Sequence, residues 1–228
     1  MKHLATLLVF VSSLSACVSG PRPMPANATS QERLQQMEQV LLSLKKAQAT
    51  LVVEASGAHT AKLTGSLQIL GSNQVYLTAD GAYDKDMGVH VEADSRTGPL
   101  VRTLSKASTA SSHQDPPTDA IGEVVALSLA RSGLMKTLSV MIADEPIPHA
   151  TGGFDGAVKA LNVNDGGNDT ASGQTCRRLN FDLSINGAVV GPSSVCVSET
   201  TSLPLLRNTT MNVNGAAMTV TERYTWVL

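Results

Sequence analysis

Aromatic residues are scarce in this 228-residue chain: Phe, Tyr and Trp together make up 3% of it, with a single tryptophan. Proteins that hold bases or sugars stack them on rings, so that kind of surface is not expected here. A formal net charge of −2 leaves no basic footprint for nucleic acid either. Histidines His59, His90, His113 and His149 fall at a turn, at an outward strand position and in proline-bearing loops. None pairs with another at metal-ligand spacing, so no metal centre is expected. The serine-rich stretches lack a Gly-x-Ser-x-Gly turn. Gly152-Gly153 and Gly166-Gly167 lack the lysine and following helix of a phosphate loop. Asp80, Asp84, Asp86, Glu92 and Asp94 read as a solvated acidic edge, with weak cation binding as the alternative. Nothing here points to an enzyme or to a cofactor.

What is present begins with an address. Met1-Lys2-His3 is a short basic start, Leu4–Val11 an apolar run, and Leu14-Ser15-Ala16-Cys17 closes the segment. Positive charge, a short apolar helix and small residues at a cut form a secretory signal, expected over residues 1–16. The apolar run is too short to cross a hydrocarbon core, which takes about 20 residues. The final tetrad resembles the bacterial lipobox, in which the cysteine thiol takes a diacylglyceryl group before cleavage; an ordinary signal with a chance cysteine is the alternative. Lipidation of Cys17 would anchor the chain to a membrane, because each buried methylene contributes about 0.8 kcal/mol. Val18 follows, with no aspartate there to retain the protein at an inner membrane, so the expected place is the outer membrane, facing the periplasm.

Residues 18–28 hold three prolines and no periodicity, so residues 17–29 read as lipidated cysteine and flexible tether, and residues 30–228 as one domain. With Cys17 used for lipid, Cys176 and Cys196 remain as an even pair in an oxidising compartment, and a structural disulfide is expected. They flank Asn186-Gly187, a hairpin signal. A three-residue loop Ile185-Asn186-Gly187 would set the cysteines directly opposite each other, whereas a two-residue turn would leave them one step out of register. Either way the bridge is expected on the wetter face of the sheet, beside Arg178, Asn180, Asp182 and Ser184.

Thr29 and Glu32 have the spacing of a capping box. After them Leu34, Met37, Leu41 and Leu44 recur at helical spacing, which predicts a helix over 30–47. From residue 49 the period becomes two. Leu51, Val53 and Ala55, then Leu63, Leu67 and Ile69, then Val75 and Leu77, then Val89 and Val91 alternate with polar neighbours, and a shorter fifth strand is expected over 99–104. Residues 105–119 read as a loop, and 119–143 as a helical region broken at Gly133. Strands return over 156–163, 174–185, 188–198, 201–208, 209–214 and 217–227, with Asn214-Gly215 as a further hairpin turn. In the last strand Met218, Val220, Tyr224 and Trp226 share one side. Such a chain is α+β: an antiparallel sheet of about nine to eleven strands with one apolar face, which must curl and be covered by the helices.

This order of elements resembles the lipoprotein-localisation carrier and receptor superfamily, the LolA/LolB type with its lipid-binding lipoprotein relatives. So does the end pattern Ser202-Leu203-Pro204-Leu205, Gly215 and Glu222-Arg223-Tyr224-Thr225-Trp226. The resemblance spans about residues 30–228. It implies a strongly curved sheet, a half-open β-barrel, whose concave face under helices accepts acyl chains. The scarcity of rings and the disulfide depart from the better-known carriers, and the anchor matches the receptor rather than the soluble shuttle. The lining expected on this reading is Leu51, Val53, Leu63, Leu67, Ile69, Val75, Leu77, Val89, Val91, Leu179, Phe181, Met218 and Val220. Val124, Val125, Leu134, Met135 and Leu138 would form the lid. A cargo of lipid or lipoprotein would be held by apolar burial at about 25 cal/mol per Å². The same residues could instead pack solidly as a core, leaving a structural or assembly lipoprotein that docks another envelope protein.

Overall fold

The structure is a computed structural model that describes residues 20–71, 74–84, 87–95, 101–106, 109–114, 121–136 and 153–228. Helix α1 runs Ser30–Ser43 behind its capping box: the Thr29 side chain accepts from the Glu32 N–H while the Glu32 carboxylate accepts from Thr29. It ends earlier than its periodicity suggests, because Leu44 turns extended to enter the sheet.

Eleven strands then form one antiparallel sheet: β1 Ala47–Gly57, β2 Ala61–Ile69, β3 Val75–Tyr83, β4 Met87–Asp94, β5 Val101–Lys106, β6 Thr109–Gln114, β7 Val158–Ala171, β8 Gln174–Ile185, β9 Ala188–Ser198, β10 Pro204–Val213 and β11 Ala216–Val227. The spatial order is β6-β5-β4-β3-β2-β1-β11-β10-β9-β8-β7. The first meander therefore walks outward from the middle and the second walks back to it, so β1 and β11 pair at the centre while β6 and β7 are the two edges. The sheet is open, as in a half-open barrel. Two glycines let β2 and β3 pack closely. A Cβ at Gly65 would lie 2.0 Å from the Thr78 carbonyl oxygen, and one at Gly81 2.0 Å from that of Lys62. Only glycine fits at these two positions.

Three strand expectations change. Residues 109–114, read as loop, pair with β5 because their backbone extends the meander by one more strand. The two short strands expected over 201–208 and 209–214 are one continuous β10. Strand β7 outruns the expected 156–163, reaching Ala171 through two register shifts.

The described part of the connection from β6 to β7 packs against β3, β9 and β10. It contains helix α2, Ile121–Leu127, which passes into a π-helical turn at Ser128–Ser132. Gly133 (φ 85°) breaks the helix and a new one starts at Leu134. No helix of the described residues is long and apolar enough to cross a membrane.

The segment read as tether is docked from Gly20 onward. The Arg22 and Met24 N–H groups donate to the Thr201 and Glu199 carbonyls. Gln36 and Ser202 donate to the carbonyls of Pro23 and Arg22, and the Arg33 guanidinium donates to those of Pro25, Ala26 and Ala28. Proline-rich sequence without periodicity reads as linker, but its exposed carbonyls can be satisfied by neighbouring side chains.

Candidate functional site

The apolar residues of β1–β4 come together. Leu51, Val53, Leu63, Leu67, Ile69, Val75, Leu77, Val89 and Val91 are all buried in one cluster that also takes in Leu179, Phe181 and Val220 from the second meander. Leu34, Met37, Val40 and Leu41 of α1 join it, as do Leu129, Ala130, Leu134 and Met135 from the crossing segment. Val125 and Met218 are half-buried against its margin. Val124 belongs elsewhere: it packs with Leu127, Phe154, Val158 and Leu183 in a second cluster under the β7 edge. Val124 and Ala126 are two positions apart, about 200° around a helix, and so turn to different clusters. Leu138 and Cys17 lie outside the described residues.

Within this aliphatic interior sits a polar group that alternation did not single out. Arg207 of β10 and Glu222 of β11 are cross-strand partners, 1% and 2% exposed. The Glu222 carboxylate accepts from the N–H groups of Leu134 (2.9 Å) and Met135 (2.6 Å), and from the hydroxyl of buried Tyr224. It thus caps the helix that restarts after Gly133, where free N–H groups and the helix dipole favour an anion. Arg207 donates from Nη1 to the Ala130 carbonyl (2.8 Å), and its guanidinium lies 5.3 Å from the centre of the Phe181 ring. Its Nε and Nη2 have no hydrogen-bond partner among the described residues. Burial brings the Arg207 guanidinium down to about 10, against the opposing pull of Glu222, so it remains a cation at neutral pH. Burial, and then the Glu222 charge, push the Tyr224 phenol well above its ordinary value.

The break in the helix is thereby tied to the sheet at both ends, by Arg207 to Ala130 and by Glu222 to Leu134 and Met135. A third tie clips the crossing segment to α1. Arg131 donates to both Glu38 oxygens (2.6 and 2.9 Å) and to the Val158 carbonyl (2.7 Å), and also pairs with Asp155. Burial alone would lower Arg131, but Glu38 and Asp155 outweigh it and hold the guanidinium above its ordinary value. A signal for the buried pair was present in the sequence: counting back from a two-residue Asn214-Gly215 turn places Arg207 opposite Glu222, and the same alternation gives Glu222 the side of Val220 and Tyr224.

The gap bounded by Ser132, Lys136, Arg207, Thr209, Met211, Val220 and Glu222 has no room for a water molecule. Two clefts elsewhere are polar. One of about 310 Å³ runs over Asn162, Asn164, Asn180, Asp182, Ser194 and Asn208. The other, of about 230 Å³, lies between α1 and β7 near Arg131 and Lys159.

Cys176 and Cys196 are disulfide-bonded, but neither expected register holds. The turn is the two-residue Asn186-Gly187, and a bulge after Leu183 places an extra residue on β9. Cys176 therefore faces Ser198, and Cys196 faces Arg178; the bond runs along the diagonal, with Cα atoms 5.4 Å apart. The bridge is also dry rather than wet. Both cysteines are buried in a small cluster with Ala171 and Leu205, against which Leu206 and Trp226 pack. Two acids of the β3–β4 hairpin are paired: Asp80 with His90 (2.6 Å) and Asp84 with His59 (2.9 Å). The Thr60 N–H and then His59 hold the Asp84 carboxyl below the usual range. Among the described residues no group of three or more acids, histidines or cysteines is set to hold a metal.

No family model and no curated protein matches the chain. Solved structures do. The Mycobacterium tuberculosis lipoprotein LppX is 11% identical, with 85% of this chain and 91% of that one covered and a TM-score of 0.41. A LolA superfamily protein from Nitrosomonas europaea is 8% identical, with coverages of 88% and 94% and a TM-score of 0.27. The Pseudomonas aeruginosa MucA/MucB complex is 12% identical, with a TM-score of 0.43; the match covers 87% of this chain and 57% of the matched one. The chain is similar in fold to LolA-superfamily proteins and lipoproteins.

Proposed function

We propose that this protein is a lipid-anchored lipoprotein of the bacterial envelope that accepts a lipid, or the acyl chains of a lipoprotein, against the apolar face of its sheet. One observation carries the reading. An aliphatic face contributed by both meanders is crossed by a segment whose broken helix is fastened through a few directed hydrogen bonds, to Arg207 and Glu222. Side chains of leucine, valine and methionine suit alkyl chains, and methionine adapts its shape to them. Entry of a chain would displace Leu129, Leu134 and Met135 and open the gap over Arg207. The Leu-Ser-Ala-Cys motif supports an anchor at Cys17, and Val18 supports an outer-membrane position facing the periplasm. Binding rather than catalysis is the role proposed.

A second reading has its own support. The gap under the helix break excludes even water, as expected of a solid core in a docking scaffold for another envelope protein. Native mass spectrometry and lipid extraction of residues 18–228, secreted behind an ordinary signal, separate the two. Co-purified lipid, or a mass shift on adding phospholipid, is expected for the acceptor. A chain that stays empty under both conditions and co-purifies with a stoichiometric envelope protein belongs to the scaffold.

A further inference from the structure

The docked segment fixes where an anchor would leave the domain. The Gly20 N–H donates to Ser43 Oγ (3.1 Å), at the C-terminal end of α1, and Arg22 donates to Gln39 one turn earlier. Gly20 lies three chain steps from Cys17, which span at most about 11 Å. A lipid on Cys17 therefore cannot hold the domain away on a long leash. It draws the α1 end of the molecule to the bilayer.

That end carries exposed apolar side chains. Leu42 is 45% exposed beside Ser43. β1 starts there, and its register brings the ends of β2 and β11 alongside: Ala47 faces Ile69, so Leu70 follows at the rim, and Gln48 faces Val227, so Leu228 does too. Leu70, Val227 and Leu228 are 37%, 63% and 61% exposed. Lys45 and Lys46, both exposed, stand between Leu42 and the first residue of β1. Glu199 is exposed as well, beside Met24, farther along the segment from the anchor. Exposed apolar side chains beside two lysines, at the end of the domain where a lipid on Cys17 would leave it, match the chemistry of a bilayer surface with anionic headgroups.

We infer that the end of the domain formed by Leu42, Lys45, Lys46, Leu70, Val227 and Leu228 lies on the membrane surface, with the leucines and valine at the headgroup boundary and the lysines on lipid phosphates. The inference rests on lipid attachment at Cys17. It also fixes the open sheet's orientation: the start of β1 faces the bilayer and the β1–β2 turn points away.

The sole tryptophan reports on this face, since Trp226 precedes Val227. The mature lipidated protein is placed on phosphatidylcholine–phosphatidylglycerol vesicles, with or without lipids bearing a nitroxide high on the acyl chain. Mass spectrometry of its N-terminal peptide is read first. Quenching of Trp226 in the nitroxide vesicles is expected, with loss of quenching in a variant carrying Leu42→Asp, Lys45→Glu, Lys46→Glu and Leu228→Asp whose thermal unfolding is unchanged. An acylated protein whose Trp226 emission is the same in both vesicles overturns the face assignment and leaves the anchor standing. An N-terminal peptide without acyl mass overturns both. Quenching that persists in the variant shows that the tether alone sets the distance, and also overturns the assignment.

Discussion

Strands β1–β4 turn leucine, valine and isoleucine to the interior, with no buried charge among the described residues, whereas β10 and β11 set Arg207, Glu222 and Tyr224 into the same interior. The two meanders meet at the β1/β11 pair, so this is one core built in two ways. Apolar burial is non-directional: the first meander makes it favourable for something to cover the sheet without saying which residue lands where. Hydrogen bonds are directional and costly to leave unmade in a dry interior. The second meander therefore decides the position of the covering segment, to within a single residue at the Gly133 break. The disulfide adds a third device on the same side of the molecule, outside the main cluster.

The sharpest way to break this contrast is Glu222→Ala. It strips the cap from Leu134 and Met135 and leaves the Arg207 cation buried without its partner, which should cost about 3–5 kcal/mol in urea unfolding. The pair Arg207→Met with Glu222→Gln, which also removes the cation, should recover part of that loss. On the aliphatic side, Leu67→Ala empties a fully buried site and should cost about 3 kcal/mol, with no rescue by any polar change. If Glu222→Ala proves cheaper than Leu67→Ala, the directional half is not what positions the segment. Replacing both cysteines by serine should lower stability by about 3 kcal/mol through loss of loop closure over a separation of 20 residues, measured by the same denaturation. The smallest expected effect sharpens the contrast most. Gly133→Ala must hold φ at 85° and bring a Cβ to 2.9 Å from Glu222 Oε1, costing about 1–2 kcal/mol. Leu134 and Met135 amides should then lose hydrogen-exchange protection before the strands do.

Much of the fold could be read from periodicity. The capping box at Thr29 and Glu32, the period-two residues of β1–β4, the hairpins at Asn186-Gly187 and Asn214-Gly215, and the helix break at Gly133 are local patterns, and each is found where its residues imply. The disulfide partners were legible too, but by elimination rather than by geometry. A bulge near Leu183, which no turn signal announces, decided their diagonal register and their burial. The candidate site was legible only in its apolar part. Val124 and Val125 look alike as sequence, yet one lies under the β7 edge and the other beside the main cluster, because helix rotation is set by what it packs on.

By itself, then, the sequence determined most of the strands, the start of α1, the break at Gly133 and the apolar side of β1–β4, since these depend on neighbours two to four residues apart. Tertiary structure alone decided that Arg207 and Glu222 would hold a helix break through bonds spanning 77 to 88 residues of chain, and that Pro21–Pro25 would lie along α1 instead of trailing free. The contacts of Arg207 and Glu222, and those of Arg22 and Met24 with Thr201 and Glu199, come from segments distant in sequence, and only the closing of the two meanders into one sheet brings their hydrogen-bonding groups within reach.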